Sequence, residues 1–444
     1  MFGRRERGVI LVVLACLVGT GTPAARADAA AAPGGTYYLQ SVRSGLNAAE
    51  RDGVIVQRSP RGDEDRQQWR LRTSGDGQLL ENTVTPGWCL GRRDAVAVAV
   101  GCAEPAARWV VTAAGPERYT LAEPGTDRFL TAVPGRAELS LEPAGTSWYL
   151  TPVEPVTRPL PPEDERRLDQ LTFLTAHNAY ANGVDGGFAP PVIDLLPNQV
   201  RGIERQLADG VRGFQLDIHQ TRDGAILCHN GCFLVFRPVA LWVDLHRIVD
   251  FLRRNPREFV TVFLEDYVSA QVLRAELARV PGLTDLLYRP DLDGVPATGW
   301  PRLRELRERD RRLLIFTDRR REDDQAGGLT RDTFGVLYQR EWTVENYWSM
   351  GPGVGESDWT CVSRWPDRPL THGGESAFRP LFVMNHFRDA PVPVTVAIDN
   401  GRLLNRAGRF CQPAARKKPN YVAVDRYDLG GPAAAVGALN TYWY

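Results

Sequence analysis

His177-Asn178, Asp217, His219, His229, Glu265-Asp266, Asn385 and Asp425 each close or directly follow a run of apolar residues. Imidazoles titrate near neutral pH, so a pair of them can take a proton from one oxygen and return one to another. Carboxylate and amide oxygens together suit a hard cation. Singly, each of these groups is an ordinary polar residue at a strand end. Gathered around one mouth, they would carry a desolvation cost that only mutual pairing, a metal or function offsets.

A parallel barrel would gather them. Apolar runs at 171–176, 214–218, 225–228, 260–264, 313–317, 381–384 and 421–424 read as buried strands. Helical periodicity lies between them at 203–207 and at 241–254, the latter through Leu241, Leu245, Ile248, Val249 and Leu252. This alternation over residues 167–444 predicts the α/β class and a (β/α)8 TIM barrel, in which all strand ends on one side share a mouth. An open doubly wound sheet is the alternative, but the first strand is not followed by the Gly-rich phosphate turn that such a sheet would carry.

Ahead of the barrel, Trp69, Trp109 and Trp148 recur about every 40 residues, each closing a unit of short alternating strands. Units of that kind bury little alone, so residues 34–153 are expected to close together as a small all-β barrel. A proline-rich stretch at 152–162 makes residues 154–166 an extended linker. Residues 1–27 have the form of an export signal: Arg4, Arg5 and Arg7 precede an apolar run at 9–18, and Ala25-Arg26-Ala27 makes a cleavage site. That run is too short to span a bilayer, so a secreted, extracellular product is expected.

Cysteine usage agrees with export. With Cys16 in the signal, six remain, Cys89, Cys102, Cys228, Cys232, Cys361 and Cys411, whose order suggests three local disulfides among the connectivities open to them. A zinc site at Cys228-His229-Asn230-Gly231-Cys232 lacks a second ligand pair nearby. The 54 basic and 54 acidic residues cancel, which leaves no overall field for nucleic acid and limits any membrane contact to a peripheral one. A monomer is expected. Arginine supplies nearly all of the positive charge, lysine occurring only at Lys417 and Lys418.

Several motifs resemble a known family. Leu174-Thr175-Ala176-His177-Asn178, the segment 206–217, Cys228-His229 and Leu264-Glu265-Asp266-Tyr267 resemble, in that order, the phosphatidylinositol-specific phospholipase C X-domain family. Val344-Glu345-Asn346, Met384-Asn385 and Asn420-Tyr421-Val422-Ala423-Val424-Asp425 extend the likeness to its secreted phospholipase C-like phosphodiesterases, over about residues 167–430. The resemblance implies His177 as general base, His229 as general acid and Asp425 as the carboxylate that orients the base. It puts Asn178, Asp217 and Glu265 at cation-holding positions, for calcium with magnesium as the alternative. Gln215 stands where an acid is expected and His219 where some members carry an arginine; these two and Asn385 are the candidate substrate contacts. The substrate implied is a phospholipid or glycolipid phosphodiester.

The N-terminal repeats, with their Gln-x-Trp ending and Cys-Leu opening, are similar to ricin-type β-trefoil lectins, which implies a glycan as a further partner. Asn47, Gly91 and Thr131 stand where that family usually holds a sugar-binding aspartate. Residues 216–224 also resemble glycerophosphodiester phosphodiesterases, although Asn178 replaces the arginine favoured there after the first histidine. A protein that binds glycan or lipid without turnover is the third reading.

Overall fold

The computed structural model describes residues 34–443 apart from 63, 76, 116, 155–156, 186–196, 229–231, 233–237, 321–334 and 374–377. The signal segment 1–27 and His229 therefore lie outside the described residues.

Residues 36–152 form an all-antiparallel sheet of twelve strands that closes on itself, the first strand pairing with the last from Tyr37↔Pro152 to Ser41↔Trp148. Its threefold character is clearest at the tryptophans. Each is fully buried, and a buried indole N–H requires an acceptor. Trp69 donates to the Ala48 carbonyl at 3.0 Å, Trp109 to Leu90 at 2.9 Å and Trp148 to Leu130 at 3.0 Å. The same bond made three times explains the spacing of the repeats, and the fold is a β-trefoil. The three positions that lack the sugar-binding aspartate are used for packing: Asn47 is buried and donates to Gln67 at 2.8 Å, Thr131 is buried and donates to the Phe129 carbonyl, and a Cβ at Gly91 would lie 2.2 Å from Val100.

Eight parallel strands follow, β1 (Phe173–Ala176), β2 (Gly213–Thr221), β3 (Val260–Tyr267), β4 (Leu313–Thr317), β5 (Val336–Tyr338), β6 (Thr343–Glu345), β7 (Leu381–His386) and β8 (Tyr421–Val424). They are ordered β5-β4-β3-β2-β1-β8-β7-β6, the order of a TIM barrel whose seam lies between β5 and β6. No ladder joins those two among the described residues. Parallel neighbours need a crossover of roughly a dozen residues, and the single helical turn Gln339–Trp342 between them is too short to supply one. β5 pairs with the upper end of β4, at Ile315 to Thr317, and β6 with the lower end of β7, at Leu381 to Val383.

One expected barrel strand is not one. The run at 225–228 forms Gly224–Leu227, which turns back on β2 as an antiparallel hairpin, Ile218↔Leu227 to Thr221↔Gly224. Its tight turn through Arg222-Asp223 reverses the chain before any crossover is possible. β5 and β6 take the places this left open; at three residues each, they are too short to show periodicity.

Helices α1 (Ile203–Ala208) and α2 (Leu241–Arg254) cover the outside, α2 burying Leu241, Leu245, Ile248, Val249 and Leu252 against the sheet. Disulfides join Cys89 to Cys102, Cys228 to Cys232 and Cys361 to Cys411. The linker is tied to the end of the barrel domain through Arg158–Pro159, which pairs with Tyr442–Trp443. Trefoil and barrel touch where Gln40 donates to the Ala414 carbonyl at 3.0 Å and where Arg416 pairs with Glu117 and covers the Tyr149 ring. Both lysines are buried: Lys417 Nζ donates to the Pro380 carbonyl, and Lys418 Nζ to those of Leu439 and Tyr442 at 2.8 and 2.9 Å. Among the described residues no helix is long and apolar enough to cross a membrane.

Candidate active site

His177 follows β1, and its backbone N–H extends the β1–β8 ladder to the Val424 carbonyl at 3.0 Å. That register sets Asp425, the residue after β8, beside it. Imidazole Nδ1 lies 2.8 Å from Asp425 Oδ1. With a carboxylate as partner, Nδ1 carries the proton and Nε2 keeps its lone pair. Asn198 donates to the same Asp425 oxygen at 2.8 Å. The Phe387 ring stacks on the imidazole at 3.5 Å between centroids and 7° between planes. Gln199 holds the backbone below by donating to the carbonyls of His177 and Val424, both at 2.9 Å. The ring is thus fixed in plane and in azimuth, while Asp425 is buried and 18% of the His177 side chain remains open.

Asn178 leaves the strand with a positive φ of 42°, a conformation asparagine tolerates better than most residues. It is buried, and its amide nitrogen has no partner. On the neighbouring strands Asp217 and Glu265 are register partners. Burial first, then the charge of Glu265, pushes the Asp217 carboxyl well above the ordinary aspartate range. Tyr267 donates its hydroxyl to Glu265. Asp318, just after β4, accepts the Asp266 backbone N–H at 2.9 Å; although the residue is exposed, its carboxyl is pushed up to about 6, first by desolvation and then by Glu265 and Asp266. Asp266 itself is structural, accepting from Thr317 Oγ1 and the Val268 N–H.

Across the lumen, Gln215 donates to Asn385 at 3.3 Å, Asn385 donates to Glu345 at 2.7 Å, and Glu345 also accepts from Gln339 at 2.9 Å and from Arg364 at 3.0 Å. Gln215 Oε1 is buried without a partner. His219 stacks on Tyr267 at 4.5 Å; burial holds its pKa below the ordinary value, against the opposing charge of Glu265. His219 lies within 4.8 Å of both sulfurs of the Cys228–Cys232 pair. Those sulfurs are bonded to each other and offer no thiolate.

Asp217 and Glu265 are adjacent, ionisation of the buried one is resisted by its neighbour, and Gln215 keeps a buried amide oxygen without a partner. Such a set is short of positive charge and rich in oxygen, which fits a hard divalent cation. The structure brings together His177 with Asp425, Asp217 with Glu265, and Gln215 with Asn385. Cys228, next to His229 in sequence, donates its N–H to the Asp217 carbonyl at 3.2 Å. Sequence reasoning missed Asn198, Phe387, Asp318 and Arg364. Asn198 and Phe387 sit in loops with no local signal. Asp318 follows the buried 313–317 run as plainly as Asp425 follows 421–424, so the same rule would have found it.

The family model PI-PLC X 1 matches residues 165–440. A PI-PLC X domain-containing protein of Arabidopsis thaliana is 30% identical over 292 residues, covering 61% of this chain and 62% of that protein. An uncharacterized secreted protein of Arthroderma benhamiae is 24% identical over 293 residues, covering 61% of this chain and 60% of its own length. The chain thus spans about three fifths of the length of the curated relatives it matches. Among solved structures, the ricin B-like lectin of Macrolepiota procera, in complex with lactose, overlaps 28% of this chain and 98% of its own at 20% identity, with a TM-score of 0.24. The match over 165–440 takes in more than half of the chain, which belongs to the PI-PLC X domain family.

Proposed function

We propose that the protein is a secreted phosphodiesterase that cleaves the headgroup phosphodiester of a phosphoinositide-like phospholipid or glycolipid. The observation that carries this is the His177–Asp425 pair at 2.8 Å, its ring partly open at the end of β1, with the Asp217–Glu265 carboxylates on the strands β2 and β3 that follow in the sheet. His177 Nε2 takes the proton from a headgroup hydroxyl, whose oxygen attacks phosphorus as the bond to the lipid alkoxide breaks. His229 gives that alkoxide its proton, and the products are a cyclic phosphate and a diacylglycerol. Asp425 keeps Nδ1 protonated and offsets the positive charge that His177 gains. Asn178, Asp217, Glu265 and the Gln215 amide would hold calcium, or magnesium, which when bound would neutralise charge on the phosphoryl oxygens. Three disulfides, the N-terminal signal and a relative named as secreted support export.

The test is hydrolysis of a phospholipid panel followed by phosphorus NMR. An inositol cyclic phosphate is the expected product, whereas glycerol 3-phosphate would identify the glycerophosphodiesterase reading. His177→Ala and His229→Ala should each lose about 10²–10⁴-fold in kcat. Hydrolysis that persists in both variants would remove the acid–base assignment.

A further inference from the structure

From the placement of Arg364 at the barrel mouth we infer that it is the residue that grips the substrate's phosphoryl oxygens. This rests on the phosphodiesterase reading and adds to it a cation that the second strand lacks. Where some members of the resembling family carry an arginine, this chain has His219, a ring stacked on Tyr267; it cannot present the planar fork with which a guanidinium meets a phosphate.

Arg364 comes from the long segment between β6 and β7, and that segment is pinned. Cys361 is tied to Cys411. Tyr347 donates its N–H to the Val362 carbonyl at 2.8 Å, Asn346 and Ser363 form an antiparallel bridge, and the Arg364 N–H reaches the Glu345 carbonyl at 2.8 Å. The strap therefore runs back along the end of β6 and delivers the side chain at a fixed place. There Nη1 donates to Glu345 Oε1 at 3.0 Å, the only side-chain hydrogen bond of Arg364 among the described residues. The side chain is 32% open, and among the described residues its other nitrogens have no hydrogen-bond partner. The remaining N–H groups are free to take an anion.

The surroundings suit that role. Glu345 first, and then Asp318 and Glu265, keep the guanidinium charged against the opposing effect of burial. Through Glu345 and Asn385 the arginine joins the chain that ends at Gln215 Oε1, the bare acceptor in the lumen. Were a divalent cation held by Asp217 and Glu265, Arg364 would offer the phosphate a second positive contact.

The competing role is to neutralise the buried Glu345 and nothing more, and substitutions separate the two. Binding of inorganic phosphate is measured by titration calorimetry, and turnover on phosphatidylinositol micelles, for wild type, Arg364→Lys, Arg364→Gln, the double variant Arg364→Gln/Glu345→Gln, and His177→Ala. We expect Arg364→Gln to weaken phosphate at least about 10-fold and lower kcat/KM about 10²-fold, with Arg364→Lys in between. The double variant should stay as impaired as Arg364→Gln, because removing the buried acid does not restore the grip. Recovery of phosphate binding in the double variant, unchanged binding in Arg364→Gln, or no phosphate binding by wild type would each overturn the assignment. Arg364→Lys, which keeps a charge beside Glu345, covers the case in which Arg364→Gln fails to fold. Phosphate binding does not depend on hydrolysis, so an active His177→Ala would refute the acid–base reading without deciding the role of Arg364.

Discussion

Replacing Asp425 by asparagine isolates one bond on which the proposed chemistry depends. Asp425 Oδ1 accepts from His177 Nδ1 and from Asn198, both at 2.8 Å. When His177 takes a proton, the first of these becomes a bond between ions. A charge-assisted hydrogen bond contributes about 1.5–3 kcal/mol, so losing the charge alone slows the step by roughly 10–150-fold. An asparagine can also turn its NH₂ towards Nδ1, which selects the tautomer with a proton on Nε2 and removes the base; both effects together give a kcat loss of about 10²–10⁴-fold, with KM changing by less than about 3-fold. Stability should not follow. Asp425 Oδ1 keeps Asn198 as a donor and Oδ2 is buried without a partner, so the substitution removes the charge of a half-satisfied buried carboxylate. The assay is phosphatidylinositol turnover in micelles, paired with a thermal melt. Asn198→Ala, which loses only the second bond, serves as the comparison and should cost about 2–10-fold. A kcat for Asp425→Asn within about 3-fold of wild type, or a loss matched by unfolding, would show that the pair does not act in catalysis.

Calcium titrated into the chelated protein should raise its melting temperature, adding about 2.7 kcal/mol at a hundredfold excess over Kd, and Glu265→Gln should weaken calorimetric binding at least about 10-fold; a melt unmoved by calcium or magnesium would argue against the cation site. Asp244, fully buried on α2 beside Arg247, is pushed up to about 7, first by burial and then by Asp185, against the opposing charge of Arg247. Its folded value lies above the unfolded one, so the stability it contributes is complete below about pH 4 and lost as pH rises through about 7. Urea melts of Asp244→Asn against wild type should therefore show the variant gaining by up to about 4 kcal/mol between those pH values; parallel curves would contradict the buried-acid account.

Legibility of the sequence followed burial and length. The runs at 313–317 and 421–424 are strands with those same bounds, because every residue in them is enclosed and apolar character is continuous. Helix 241–254 was equally plain, since its apolar positions recur on one face. The run at 225–228 misled because apolar composition states that a strand is buried, not in which direction its neighbour runs. Of the site, strand-end residues such as His177 and Asp425 could be read, as the ladder alone places them. Asn198 and Arg364 could not. Each reaches the mouth through loop contacts made only once the barrel has closed.

The burial of Lys417 and Lys418 has a practical side. No other lysine exists in the chain, and each ammonium is enclosed and spent on backbone carbonyls. Succinimidyl esters, aldehydes and other amine-directed reagents should find neither lysine side chain accessible in the folded protein. Label appearing on Lys417 or Lys418 over time would report that the floor of the barrel had opened.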